Sequence, residues 1–195
     1  MTKIILASQS KVRKKILEEN KIDCEVVYSK IDEDPVKDSL IAEGATPEII
    51  SKNLAELKAN KVSLIRNDTL VLGADSVIDL NGELISKPNN RAEALSILKK
   101  LNGNKHHLIS SVCISKNGSM IWNYTDKAEL QMKYFKDDEL KRYLNKISDE
   151  KLYSYNVYQI EGDGIELFED IKGDKNSIMG LPIDSIKKYL WSGTC

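Results

Sequence analysis

Histidine is nearly absent from this chain: His106 and His107 are the only two in 195 residues. Adjacent histidines cannot provide the spacing of an H-E-x-x-H zinc site, so a histidine-rich metal cage is excluded and any divalent ion would rest on carboxylates. Cysteine is scarce as well, and the three present (Cys24, Cys113 and Cys195) share no C-x-x-C spacing. That odd, scattered set suits a reducing compartment better than a disulfide framework, so a cytoplasmic location is expected. No apolar run approaches the roughly 18 residues of a membrane span, and Ile4 to Ala7 is too short for the apolar core of a signal peptide. No membrane partner is expected. Excess charge of one sign is also missing, since 29 Lys and Arg face 30 Asp and Glu for a formal charge of −1. The basic residues alternate with acids instead of forming a stripe with interleaved aromatics, which argues against nucleic acid as a partner and makes any anion site local.

What is present reads as interleaved strands and helices. A chain of 195 residues fits one domain or two small lobes and can bury roughly 70% of its unfolded surface without a disulfide or metal. Lys3 to Ala7 predicts a buried strand, Ser8-Gln9-Ser10 a helix cap, and Lys11 to Lys21 a helix with Val12, Ile16 and Leu17 at helical spacing. Cys24 to Tyr28 predicts a second strand, after which Pro35 is expected to bar regular structure. Pro47 opens a long helix to about Leu64 with Ile50, Leu54, Leu57, Lys58 and Val62 along it. Leu70 to Leu80 and Glu83 to Ile85 form a hairpin around Asn81-Gly82, a type I′ signal. A helix over Asn90 to Leu101, a second hairpin (His107 to Ser115, Met120 to Met132) and a helix from Asp137 to Asn145 follow. Tyr153 to Gln159 reads as a strand or loop, and Pro182 begins the last helix. Hairpins among strand-helix units imply a mixed sheet flanked by helices, with a groove at strand ends.

The residues that bear chemistry fall in two places. In VLGADSVIDLNGELISKP, Asp75 follows an apolar run, and Gly73 and Ala74 leave room beside the backbone for a ligand. Lys87 comes to the same locality across the hairpin. A strand-end Asp capping a turn, with Lys87 a solvated charge, explains this stretch alone equally well. The loop Ala7-Ser8-Gln9-Ser10 before Lys11, Arg13, Lys14 and Lys15 combines free N–H groups, hydroxyls and cations as a phosphate site requires, although ordinary capping and a solvated basic face describe it too. Asp32, Glu33 and Asp75 are candidate ligands for a Mg²⁺-like ion, with Lys58 and Lys87 completing such a site. His106 and Cys113 read as packed strand residues, Gly162-Asp163-Gly164 as a turn, and Asp137-Asp138-Glu139 as an acidic first turn.

Taken in order, LASQSKVRKKIL, LGADSVID with ISKP, and YQIEGDGIELF with IMGLPI resemble the Maf family of nucleoside triphosphate pyrophosphatases over Leu6 to about Leu190. The resemblance implies a single domain over residues 1–195 with an α/β fold related to inosine triphosphate pyrophosphatase: an elongated mixed sheet and two lobes flanking a cleft, commonly in a homodimer. It also implies a divalent metal cation, Mg²⁺ or Mn²⁺, on Glu33 and Asp75, and a nucleoside triphosphate as substrate. Residue by residue, Asp75 matches the catalytic base and Glu33 the early acid, while Lys58 and Lys87 match the active-site lysines. Ser8, Ser10 and Arg13 match the phosphate-binding loop, and Val12, Ser76 and Glu161 the positions that tune base choice. Lys11 and Val12 replace the family's usual Pro and Arg. Tyr155 and Asn156 replace its small Ala-Gly pair. Glu161, in IEG where dTTP- and UTP-preferring members read IQG, leans toward the 7-methyl-GTP branch, because a carboxylate suits guanine's N–H donors. A dTTP/UTP pyrophosphatase is the alternative within the family. A nucleotide-binding regulator of cell division is the alternative outside catalysis, and the Glu33, Lys58, Asp75, Lys87 set speaks against it.

Overall fold

The computed structural model describes residues 3–192, with the side chains of Ser154 and Tyr155, like Cys195, outside that description. Among the described residues seven strands form one mixed sheet in the order β2-β1-β3-β5-β6-β7, with β4 paired to β3. The first unit is β1 (Ile4–Leu6), α1 (Lys11–Glu19) and β2 (Cys24–Val26), where β1 runs parallel to both β2 and β3 (Val71–Leu80). The expected hairpins follow: β3 with β4 (Glu83–Ile85), then β5 (Lys105–Lys116) with β6 (Ser119–Met132). Asn81 and Gly82 sit at φ of 54° and 89°, the left-handed pair that an I′ turn requires. β5 lies antiparallel to β3 along almost its whole length, and β7 (Phe168–Lys172) closes the far edge on β6.

Apolar packing divides into two main cores that share these long strands. Ile4, Leu6, Ile16, Leu72, Val112, Ile114, Leu181 and Ile186 fill one. Ile78, Leu80, Leu98, Leu130, Met132, Leu140 and Phe168 fill the other. α4 (Arg91–Leu101) and α5 (Asp137–Lys146) cover the second core, and α8 (Ile183–Trp191) covers the first, after the short α7 (Lys175–Ile178). His106 and Cys113 are buried strand residues, as their sequence context implies. Asp137 to Glu139 is an acidic first turn.

Three expectations need correction. Pro35 does not end regular structure: it is the third residue of α2 (Glu33–Ala42), where a helix has no intrahelical bond for its N–H to make. Glu33 and Asp34 ahead of it face the positive end of the helix dipole. Tyr153 to Gln159 is not a strand, because Ser148 caps α6 (Asp149–Tyr155) through a bond from the Lys151 N–H, and only the segment after Tyr155 is irregular. The space beside Gly73 is not left for a ligand. A Cβ there would lie 2.2 Å from the Ala55 carbonyl oxygen and 2.7 Å from the Ala59 nitrogen, so the missing side chain admits α3 (Pro47–Ser63) against β3.

Candidate active site

That close approach of α3 places Lys58 beside Asp75. Ile50, Leu54, Lys58 and Val62 follow one another at i, i+4 spacing on the buried side of α3, whereas Leu57 turns outward. A cation on an apolar stripe needs a counter-charge. Lys58 Nζ finds two, donating to Asp75 Oδ1 and pairing with Glu33 Oε1, each at 2.8 Å. Burial works to raise the Glu33 pKa, yet the Lys58 charge and hydrogen bond, with Lys37 and Lys87 behind them, hold it below the usual carboxylate value. Asp75 Oδ2 is buried and has no hydrogen-bond partner.

These groups open on a cleft of about 1170 Å³ between the two cores. All ten residues singled out by the sequence reach it: Ser8, Ser10, Val12, Arg13, Glu33, Lys58, Asp75, Ser76, Lys87 and Glu161. Three of them, Arg13, Ser76 and Val12, are engaged mainly within the protein. Arg13 gives four of its five N–H groups to the protein: Nε to the Gly180 carbonyl, one terminal nitrogen to Ser8 Oγ and the Ala74 carbonyl, the other to Ser76 Oγ. The guanidinium therefore ties α1 to β3 and to the turn after α7, with a single N–H left over. Ser76 accepts from Arg13 at 3.0 Å and lies 2.9 Å from Ser110 Oγ, which donates to the Ser177 carbonyl. With the Ser110 proton committed, Ser76 is the donor between them. Val12 packs partly against the first core.

Ser8 and Ser10 accept from backbone N–H groups of their own loop, Ser10 as the cap of α1. Their hydroxyl protons remain available to an anion. Lys87 makes no hydrogen bond or ion pair among the described residues. Desolvation by the cleft walls and the nearby Arg13 charge lower its pKa, against the pull of Asp75 and Glu33. Lys37 was missed by the sequence reading. It sits one turn after Glu33, 3.6 Å from Oε2, and its signal was the i, i+4 spacing on a helix that Pro35 concealed.

The cleft is chemically two-sided. One set of lining residues carries the cations Lys11, Arg13, Lys30, Lys37, Lys58 and Lys87. The stretch from α6 onward carries none, contributing Tyr153, Asn156, Tyr158, Gln159 and Glu161. Cations suit a polyphosphate, and aromatic, amide and carboxylate groups suit a base. A divalent ion fits the acidic pair. Asp75 Oδ2 offers an unused buried oxygen, and Mg²⁺ is commonly held by one or two carboxylates with phosphate and water completing its shell. No group of three or more metal-ligating side chains gathers among the described residues, so phosphate oxygens would be part of that shell.

A profile of the family described as Maf-like protein matches residues 3–192. The chain belongs to the Maf family. Among Maf relatives, a protein of Pelagibacter ubique named nucleoside triphosphate pyrophosphatase is 66% identical over 187 residues, covering 96% of each chain. A Rhizobium etli protein named 7-methyl-GTP pyrophosphatase is 35% identical over 181 residues, covering 93% of this chain and 91% of its own. Among solved structures, a HAM1 protein from Coxiella burnetii matches 68% of this chain and 73% of its own with a TM-score of 0.46 and 17% identity. No helix among the described residues is long and apolar enough to cross a membrane.

Proposed function

We propose that this Maf protein is a nucleoside triphosphate pyrophosphatase, with 7-methyl-GTP the candidate substrate, and that Asp75 is its base. The observation that carries the reading is the Glu33–Lys58–Asp75 constellation at 2.8 Å, set in a cation-lined cleft with Asp75 Oδ2 unpartnered. The water oxygen bonds to the α-phosphorus, and the bond from that phosphorus to the bridging oxygen of the β-phosphate breaks. Pyrophosphate leaves with the bridging oxygen, and the water's proton passes to Asp75. Lys58 positions the Asp75 carboxylate by holding Oδ1, while Oδ2 has no competing hydrogen-bond partner. Lys87 and the hydroxyls of Ser8 and Ser10 donate to phosphate oxygens, supported by the spare Arg13 N–H. Glu33 and Asp75 would hold a divalent cation, which supplies neutralisation of phosphate charge and a lower pKa for water.

Glu161 supports the guanine reading: it is an exposed carboxylate lining the cleft, able to accept from N1–H and the 2-amino group, where uracil presents a carbonyl. The test is pyrophosphate release by the purified protein from 7-methyl-GTP, GTP, ITP, dTTP, UTP and ATP, with Mg²⁺, Mn²⁺ or chelator. Asp75→Asn is expected to abolish release while melting as a folded protein. Turnover by that variant at the wild-type rate under saturating metal refutes the assignment, and a preference for dTTP or UTP refutes the role of Glu161.

A further inference from the structure

Asn156 follows α6 with φ of 80° and ψ of −170°. Asparagine tolerates the ordinary left-handed region, but at this ψ the backbone lies in a region that glycine occupies almost alone. The geometry has a plain cause. The chain must turn out of α6 into Val157 and Tyr158, which are 0% and 5% exposed, and Tyr158 is fixed by a 2.9 Å bond to His106 Nε2. Glycine would make the same turn without strain. The bond that the side-chain oxygen accepts from the Val157 N–H offsets part of that strain and accounts for the oxygen, but not for the amide nitrogen.

Its chemistry is determined by its neighbour. The Val157 N–H donates to the Asn156 side chain at 2.8 Å, so the atom on that side is the carbonyl Oδ1 and the amide nitrogen lies opposite. Nδ2 makes no hydrogen bond among the described residues, and Asn156 lines the cleft on the side that lacks cations. A pinned amide with two unspent donors and the Glu161 carboxylate, an acceptor, both line this cleft. Guanine's edge offers the complement: a 6-keto oxygen that accepts, beside N1–H and a 2-amino group that donate. Adenine reverses the first two.

We infer that Asn156 is a specificity residue that donates from Nδ2 to the 6-keto oxygen of a guanine-type base and thereby rejects 6-amino purines. This rests on the proposed triphosphate substrate. The experiment measures kcat/KM for GTP, 7-methyl-GTP and ITP, which carry the keto oxygen, against ATP in the wild type, Asn156→Gly and Asn156→Asp. Asn156→Gly relieves the backbone but removes the acceptor of the Val157 N–H together with the Nδ2 donor, so the readout is selectivity and not melting temperature: the keto-to-amino ratio is expected to fall about tenfold, the worth of one hydrogen bond. Asn156→Asp keeps the contact to Val157 but exchanges donor for acceptor, and its ratio is expected to fall further. A wild type that cleaves ATP as well as GTP, or variants whose ratio stays within twofold of wild type, overturns the inference and leaves the pyrophosphatase reading standing. A wild type active on dTTP or UTP alone overturns the inference and leaves the pyrophosphatase reading standing, and one that releases pyrophosphate from none of the six triphosphates overturns both.

Discussion

Replacing Lys58 with methionine, similar in length but uncharged, strands Asp75 and Glu33 without their shared cation. The Lys58 and Asp75 side chains are 10% and 9% exposed, with contacts of 2.8 Å. Removing one partner of a buried pair costs about 3–5 kcal/mol, because the remaining charge stays desolvated. Glu33 is 33% exposed and keeps Lys37 at 3.6 Å, so water screens its share and the lower end, about 3 kcal/mol, applies. For a chain of 195 residues that corresponds to a fall in Tm of about 6–12 °C. Thermal and urea unfolding followed by circular dichroism at pH 7 measures it. Adding Asp75→Asn removes the stranded charge along with its partner, so the double variant should recover at least about 1 kcal/mol relative to the sum of the singles. A Lys58→Met protein melting within about 2 °C of wild type, or singles that add to within about 0.5 kcal/mol, would refute the pairing.

Gly73→Ala drives a methyl group into the backbone of α3, 2.2 Å from the Ala55 oxygen; a loss of about 2–3 kcal/mol is expected, together with reduced activity as Lys58 moves off Asp75. An unchanged Tm would mean that α3 is not seated by this contact. His106 is buried and its pKa is held down to about 4 by desolvation, against about 6.5 in the unfolded chain. Between those values the unfolded state binds more protons. Its contribution is therefore complete above about pH 6.5 and is lost as pH falls toward 4, by about 3 kcal/mol in all. Unfolding free energies at several pH values should decline less in His106→Phe than in wild type; parallel declines would remove His106 as the cause.

Much of the site could be read from residue order because its parts lie on strongly patterned elements. The Asn81-Gly82 turn returns the chain to Lys87, and the Ile50–Leu54–Lys58–Val62 spacing already marks Lys58 as a cation on a buried face. Less legible were features that depend on neighbours distant in sequence. Nothing local tells that Gly73 meets Ala55 and Ala59, or that Arg13 spends most of its donors on Gly180, Ala74, Ser8 and Ser76. α2 was hidden because proline was weighed as a breaker without regard to its place in the first turn. α6 was hidden because three tyrosines over Tyr153 to Tyr158 outweighed the Ser148 cap and the acids that follow it.

The uninterrupted path of β3 and β5 beneath both cores has a mechanical consequence. Leu72 and Ala74 belong to one core and Ile78 and Leu80 to the other, so a single rail of ladder bonds carries the two halves, and Asp75 stands at its midpoint. The halves cannot swing about a hinge there without breaking that rail. Asp75 is rigidly mounted at that midpoint, which would keep a base proposed there still through turnover.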